Sequence, residues 1–265
     1  KHPMYDTRHR SMYIVVFILT ILSIYVMSAC GAKGPKDVSS ATLSSTTSMA
    51  EKVAPSITAR IEFLLDSSTE MSEQQQGILR RALDHDGSIP RSDYDAAWSR
   101  YQDCMVAKGY TKPVTEEFTD GLRSNVMHPY MDGWTKAQQS KFFEDDNGCK
   151  QLEYLYVDEI YRANLGNPNQ YTDMDTAVVD CLRRKNLVGK QYTLTQFKQE
   201  DEQYNDVAVK NFATDRYDDS GEAASKFSFD LKDPATVTCF IANGKDYYFR
   251  EDTSPIWNPL NTPTP

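Results

Sequence analysis

The residues of this chain most able to do chemistry are five cysteines, and their spacing splits them into one and four. Cys30 closes an uncharged run near the start, whereas Cys104, Cys149, Cys181 and Cys239 are spread over the remainder at intervals of 45, 32 and 58 residues. No Cys-x-x-Cys occurs, and beyond residue 30 only His85 and His128 are present, so a zinc centre lacks its usual ligands. An even set of cysteines in an exported chain reads as two disulfides. Three pairings are open to four cysteines. Closing loops of 45 or 58 residues would stabilise the fold by about 4 kcal/mol each in the chain-entropy account.

Other chemistries find less support. The stretch ALDHDGSIPRSD (82–93) can be laid on a calcium-binding helix-loop-helix, with Asp84, Asp86, Gly87, Ile89 and Asp93 at positions three, five, six, eight and twelve. Its first position is Ala82, which has no oxygen, and its last is Asp where a bidentate Glu is wanted. The stretch is therefore read as an Asp-Gly turn with Ile89 packed beneath it, and no metal or cofactor is expected. Acidic clusters at Glu116-Glu117, Glu144-Asp145-Asp146, Glu200-Asp201-Glu202 and Asp218-Asp219 sit in polar surroundings and are read as solvated surface, not as a pair poised for glycan cleavage. There is no Gly-x-Ser-x-Gly, Ser-x-x-Lys or His-Glu-x-x-His beyond residue 30, so no catalytic residue is assigned.

The segment around Cys30 has a different logic. Lys1, Arg8 and Arg10 precede an uncharged run from Ser11 to Ala29, the layout of a secretory leader. Met27-Ser28-Ala29-Cys30 resembles the signal of bacterial lipoproteins. The resemblance implies cleavage before Cys30, a thioether-linked diacylglycerol on its thiol, and a further acyl chain such as palmitate on the new N-terminus. Several chains give the stable anchoring that one chain does not. The implied address is the cell membrane, lipid-anchored through Cys30, with the domain facing the extracytoplasmic side. Residues 1–29 are thus read as signal peptide, and 30–52, rich in Gly, Ser and Thr, as a flexible tether.

The chain beyond the leader carries 26 basic and 37 acidic residues, net −11, a balance that disfavours nucleic acid as a partner. Residues 53–250 have an ordinary apolar share and read as a mainly α, disulfide-stapled domain; 251–265 holds four prolines and reads as a tail. Ser72 with Gln75 forms a capping box ahead of Ile78, Leu79 and Ala82. A second helix from Ser92 carries Tyr94, Trp98, Tyr101 and Met105 at helical spacing. A third is expected within 138–164, with Cys149, Leu152, Tyr156 and Ile160 on one face. Val178, Cys181 and Leu182 mark a fourth, about 196–213 a fifth with a thin apolar face, and a last one starts at the Asp233 cap and Pro234 and closes at Asn243-Gly244.

DCMVAKGY (103–110) and DCLRRKNL (180–187) share Asp-Cys, an apolar residue and a following Lys, which suggests two similar halves, 53–166 and 167–250. That likeness favours pairing Cys104 with Cys149 and Cys181 with Cys239. YQDCMVAKGYTKP (101–113) is also similar to a Cys-Met…Gly-Tyr…Pro pattern in surface lipoproteins of actinobacteria, families mostly without assigned activity; it implies a lineage and no reaction. The expectation is a non-catalytic, lipid-anchored surface or interaction module of the cell envelope, with an envelope protein or wall component as partner. An envelope enzyme acting on wall glycan or peptide through acidic residues is the alternative.

Overall fold

The computed structural model describes residues 50–125, 129–213, 221–249 and 256–261; Cys30 and Asp218-Asp219 lie outside them. Among the described residues the chain is mainly α, with eight α-helices and one two-stranded hairpin. The four cysteines pair in sequence order, Cys104 with Cys149 and Cys181 with Cys239.

Helix α1 (Ile57–Ser67) starts where Ser56 accepts a hydrogen bond from the Ala59 amide, and it buries Ile61 and Leu64. Helix α2 (Glu73–Leu83) buries Ile78, Leu79 and Ala82 as expected, and ends in a turn where Asp86 and Gly87 take left-handed backbone angles. Helix α3 (Arg91–Ala107) buries Tyr94, Trp98, Tyr101 and Met105 on one stripe. Strands β1 (Thr115–Glu117) and β2 (Arg123–Asn125) pair antiparallel.

The expected third helix is two. Helix α4 (Lys136–Glu153) and helix α5 (Leu155–Gly166) are separated at Tyr154, whose φ and ψ are −141° and −21°. The break shifts the buried face: Leu152 becomes exposed while Tyr154, Val157 and Ile160 turn inward. Gln75 is the physical reason that the break is stable. Its side chain is wholly buried and donates through Nε2 to the carbonyls of Gln151 (2.7 Å) and Leu152 (2.8 Å). Its Oε1 accepts from the amides of Tyr156 (2.9 Å) and Val157 (3.3 Å). One side chain thus satisfies backbone groups on both sides of the interruption, which would otherwise be buried without partners. The capping box expected from Ser72 and Gln75 is accordingly half made. Ser72 accepts from the Gln75 amide, but the Gln75 amide group is spent on the break; the reciprocal box forms at Thr135 and Gln138, ahead of α4.

Contacts step up α4 and α5 as they step down α3. Ile89, just before α3, meets Asn164; Tyr94 meets Asp158 and Tyr161; Trp98 meets Tyr154; Tyr101 meets Asp146; Cys104 meets Cys149; and Tyr110 meets Phe142. Helix α3 therefore lies antiparallel to both, over about 25 Å for its 17 residues. At one end of this pairing, Val53 donates to the Gln170 carbonyl (2.8 Å) and Thr172 to that of Glu51 (3.0 Å), so the chain enters the domain beside the C-terminus of α5.

Helix α6 (Met174–Arg184) is capped by Asp173 and buries Val178, Cys181 and Leu182. Helix α7 (Leu194–Ala213) follows. Helix α8 (Pro234–Ala242) is capped by Asp233 and buries Cys239, Phe240, Ile241 and Ala242. Two apolar clusters result: one on α1–α5, and one of Val178, Leu182, Phe197, Phe227, Phe240 and their neighbours. Helix α8 serves both, giving Ile241 to the first and Cys239 and Phe240 to the second. It crosses α5 so closely that a Cβ at Gly166 would lie 2.5 Å from that of Ala242.

Candidate functional site

The end of the α3–α4 pair away from the chain entry is built on Phe142. Tyr110, Trp134 and Trp257 surround its ring at centroid distances of 5.3, 5.7 and 5.5 Å. Trp257 comes from the proline-containing C-terminal stretch, where periodicity gave no hint of burial. It is held by its Nε1 donating to Thr111 Oγ1 (2.8 Å), and the stretch is pinned by Thr111 donating to the carbonyls of Pro259 and Asn258. Phe143, whose ring lies 5.4 Å from that of Phe142, stays 47% exposed, and in the C-terminal stretch that carries Trp257, Ile256 is 70% and Leu260 36% exposed. Val106, near the end of α3, is exposed too.

Beneath this apolar end lies a carboxylate that the sequence reading placed at the surface. Asp145 and Asp146 are both buried. Asp145 accepts from Tyr110 Oη (2.9 Å) and is bridged by Lys141 and by Lys108 (3.5 Å). Burial opposes its ionisation, but the Lys141 and Tyr110 hydrogen bonds outweigh that and hold the carboxyl below the usual carboxylate range. The same contact, together with desolvation, pushes the Tyr110 phenol up to about 12. Asp146 accepts from Tyr101 Oη (2.7 Å) and pairs with Lys150 (2.6 Å).

A third pair of this kind sits further along. Tyr94 donates to Asp158 (2.7 Å), which also pairs with Arg162 Nε (2.6 Å). Arg162 donates on to the carbonyls of Ile241 (2.6 Å) and Arg123, tying α5 to α8 and to the hairpin. Buried tyrosine hydroxyls need partners, and here those of α3 and its following turn find carboxylates on α4 and α5. The signal was available: Asp146 is three residues from Cys149 and four from Phe142, on the apolar stripe of α4. An acid on such a stripe is buried and therefore paired.

The other acidic clusters divide. Glu117 is exposed and bonded to Arg91 (2.9 Å) and Arg123 (3.0 Å), in keeping with a solvated face. Glu200 accepts from Tyr192 Oη (2.5 Å) and from the Ser228 amide. Asp201 also departs from the expectation of a solvated acid. It is half-buried, accepts from Tyr248 Oη, and has its carboxyl pushed up, chiefly by desolvation, with Lys245 opposing and Asp175 adding to the shift. Lys245 is itself buried, pairs with Asp175 (2.8 Å) and lies over the rings of Phe197 and Tyr248. This group joins α6, α7 and the turn after α8.

The calcium-like loop is a packed turn. Asp93 pairs with Arg81 (2.9 Å), Ile89 is buried, and a Cβ at Gly87 would lie 2.5 Å from the Ile57 side chain. Among the described residues, no group of three His, Cys, Asp or Glu is placed to hold a metal ion, and no helix is long and apolar enough to cross a membrane. A groove of about 320 Å3 runs between α2 and α3, lined by Gly77, Ile78 and Ala96. Of its charged walls, Arg81 pairs with Asp93 and Arg100 with Glu153 (3.2 Å). Compared with family models, with curated proteins and with solved structures, the chain finds no match.

Proposed function

We propose that the chain is a lipid-anchored extracytoplasmic protein of the cell envelope that acts by binding, without catalysis. The observation that carries the reading is Met27-Ser28-Ala29-Cys30 at the end of an uncharged run. Two disulfides in one domain accord with an exported compartment. The anchor would be Cys30 and its acyl chains, and the partner an envelope protein or a wall component. The region best suited to contact is the end built on Phe142, where Phe143 and, in the stretch carrying Trp257, Ile256 and Leu260 are exposed, since exposed aromatic and aliphatic residues next to a packed cluster are what interaction surfaces use.

Cys30→Ala followed by membrane fractionation tests the anchor: the variant should lose the lipid and retain an uncleaved leader, and an unchanged lipidated product would sink it. Co-sedimentation with peptidoglycan sacculi, and crosslinking on intact cells, test the partner. Phe143→Asp should reduce whichever association is found; an unaltered association would exclude this region.

An envelope enzyme working through acidic residues is favoured by one observation, the raised carboxyl of Asp201 beside Asp175 and Lys245, since a general acid needs such a shift. Muropeptide release that disappears in Asp201→Asn would establish it, and no release by the native protein would dismiss it.

A further inference from the structure

The two disulfides are not equivalent. Cys181 and Cys239 have no solvent exposure and Cys149 has 1%, whereas Cys104 is half-buried near the end of α3, where Asp103, Val106 and Ala107 are exposed. The second bond is enclosed by Val178, Leu182 and Phe240 on α6 and on α8, the helix shared by both apolar clusters. The first joins α3 to α4, with Cys149 in the apolar cluster of the first half and Cys104 packed against it without being fully buried.

The helices joined by the first bond are also held together without it. Tyr101 to Asp146 (2.7 Å), Tyr110 to Asp145 (2.9 Å) and Arg100 to Glu153 (3.2 Å) all cross from α3 and its following turn to α4. The Tyr101 and Tyr154 rings pack at 5.1 Å between them. Opening this bond therefore leaves a paired interface standing. Opening the other requires the core of the second half to part first.

We propose that Cys104–Cys149 is an exchangeable disulfide, a modification site at which a dithiol reductant acts on the folded protein, and that Cys181–Cys239 is inert under the same conditions. A thiolate of the reductant attacks Cys104 Sγ, on the half of the bond whose residue is not fully buried. The S–S bond breaks, and Cys149 Sγ leaves as a thiolate that takes a proton from water. The second thiol of the reductant, as its thiolate, attacks its own sulfur in the mixed disulfide and expels Cys104 as a thiolate, which is protonated in turn. The balance is one dithiol oxidised to a disulfide and one protein disulfide reduced to two thiols. The inference does not depend on the anchor or on any binding partner.

The test is timed reduction of the oxidised full chain by dithiothreitol, with alkylation, peptide mass spectrometry and circular dichroism on the same samples. Cys104 and Cys149 should become alkylated at least ~10-fold faster than Cys181 and Cys239 while helical ellipticity persists, as exchange rates follow access to sulfur. With glutathione in place of dithiothreitol, the trapped adduct should sit on Cys104. Equal rates, reduction only after ellipticity is lost, or an adduct on Cys149 would each overturn the proposal. The double variant Cys104→Ala/Cys149→Ala supplies the second check: it should fold with native ellipticity, and failure to fold would show that the opened state cannot persist.

Discussion

The two cysteine-bearing helices α3 and α6 end alike and then diverge. After Cys104, Gly109 donates to the Val106 carbonyl and Tyr110 to that of Met105; after Cys181, Asn186 donates to Arg183 and Leu187 to Leu182. Both are Schellman endings with a left-handed residue at the same place, Gly109 at φ 96° and Asn186 at φ 57°. The residues five before the closing amides, Met105 and Leu182, are both fully buried. Beyond that point the first half inserts a hairpin and a long broken helix, and the second inserts α7. The likeness of 103–110 and 180–187 is thus a likeness of helix endings and of staple position, while the intervening architecture is distinct. What differs is the burial of the first cysteine of each staple: Cys104 is partly buried and Cys181 wholly so, while Cys149 and Cys239 are both enclosed.

That difference in depth gives the largest predicted effect. Removing the buried pair in Cys181→Ala/Cys239→Ala loses the loop constraint and leaves a void among Val178, Leu182 and Phe240, for a destabilisation of about 5 kcal/mol. The Cys104→Ala/Cys149→Ala variant loses the constraint at a bond of which only the Cys149 side is fully buried, and should lose about 2–3 kcal/mol. Urea unfolding of the two variants would compare them directly. Equal losses would mean that loop closure alone, not depth, sets the value of each bond.

Next in size is the joint between the halves. Arg162→Met strands the partly buried Asp158 carboxylate beside Tyr94 and abandons two carbonyl acceptors, on Ile241 and Arg123. Breaking a fully buried ion pair from one side costs about 3–5 kcal/mol, and this partly solvated one should cost about 3. Gln75→Leu acts within the first half only; it leaves amides and carbonyls unsatisfied around Tyr154, for about 2–3 kcal/mol. If Gln75→Leu unfolds in one transition with the second half, the halves are a single cooperative unit; an earlier transition confined to the first half would separate them. The matched helix endings offer a smaller contrast. Gly109→Ala forces a side chain into the left-handed region and should cost about 1 kcal/mol, whereas Asn186→Gly relieves that strain and should be neutral or slightly stabilising. Thermal midpoints decide this, and a tolerated Gly109→Ala would remove the equivalence of the two endings.

Apolar periodicity made the helices legible wherever one face was uniformly buried: α2, α3, α6 and α8 begin, end and face inward as their sequences indicate. It failed where a distant polar side chain intervenes. The interruption at Tyr154 is stabilised by Gln75, some eighty residues earlier, and no local pattern in 138–164 reports it. Trp257 was unreadable for a related reason: its burial depends on Thr111 and Tyr130 pinning an irregular segment, which carries no period. The acidic clusters misled because neighbouring acids in a polar stretch look solvated, yet in an α-helix adjacent positions face 100° apart. Asp145 and Asp146 fall on the buried side and Glu144 does not.

The last contrast lies between two carboxylates whose shifts have opposite sign, one in each half. Asp145 has its carboxyl lowered, so its contribution to stability is present above the ordinary carboxylate range and is lost as the pH falls through the lowered value. Asp201 has its carboxyl raised, so the folded form holds that proton more tightly than the unfolded chain does; its contribution is present in acid and is lost as the pH rises through the raised value. Urea midpoints measured from about pH 3 to 7, the span in which carboxyls titrate, should separate the two. Asp145→Asn should be less stable than the native protein near neutrality and converge with it in acid. Asp201→Asn should gain on the native protein as the pH rises. Parallel curves for both variants would mean that neither carboxylate is differentially held, and that the tyrosine contacts position the helices without coupling them to protonation.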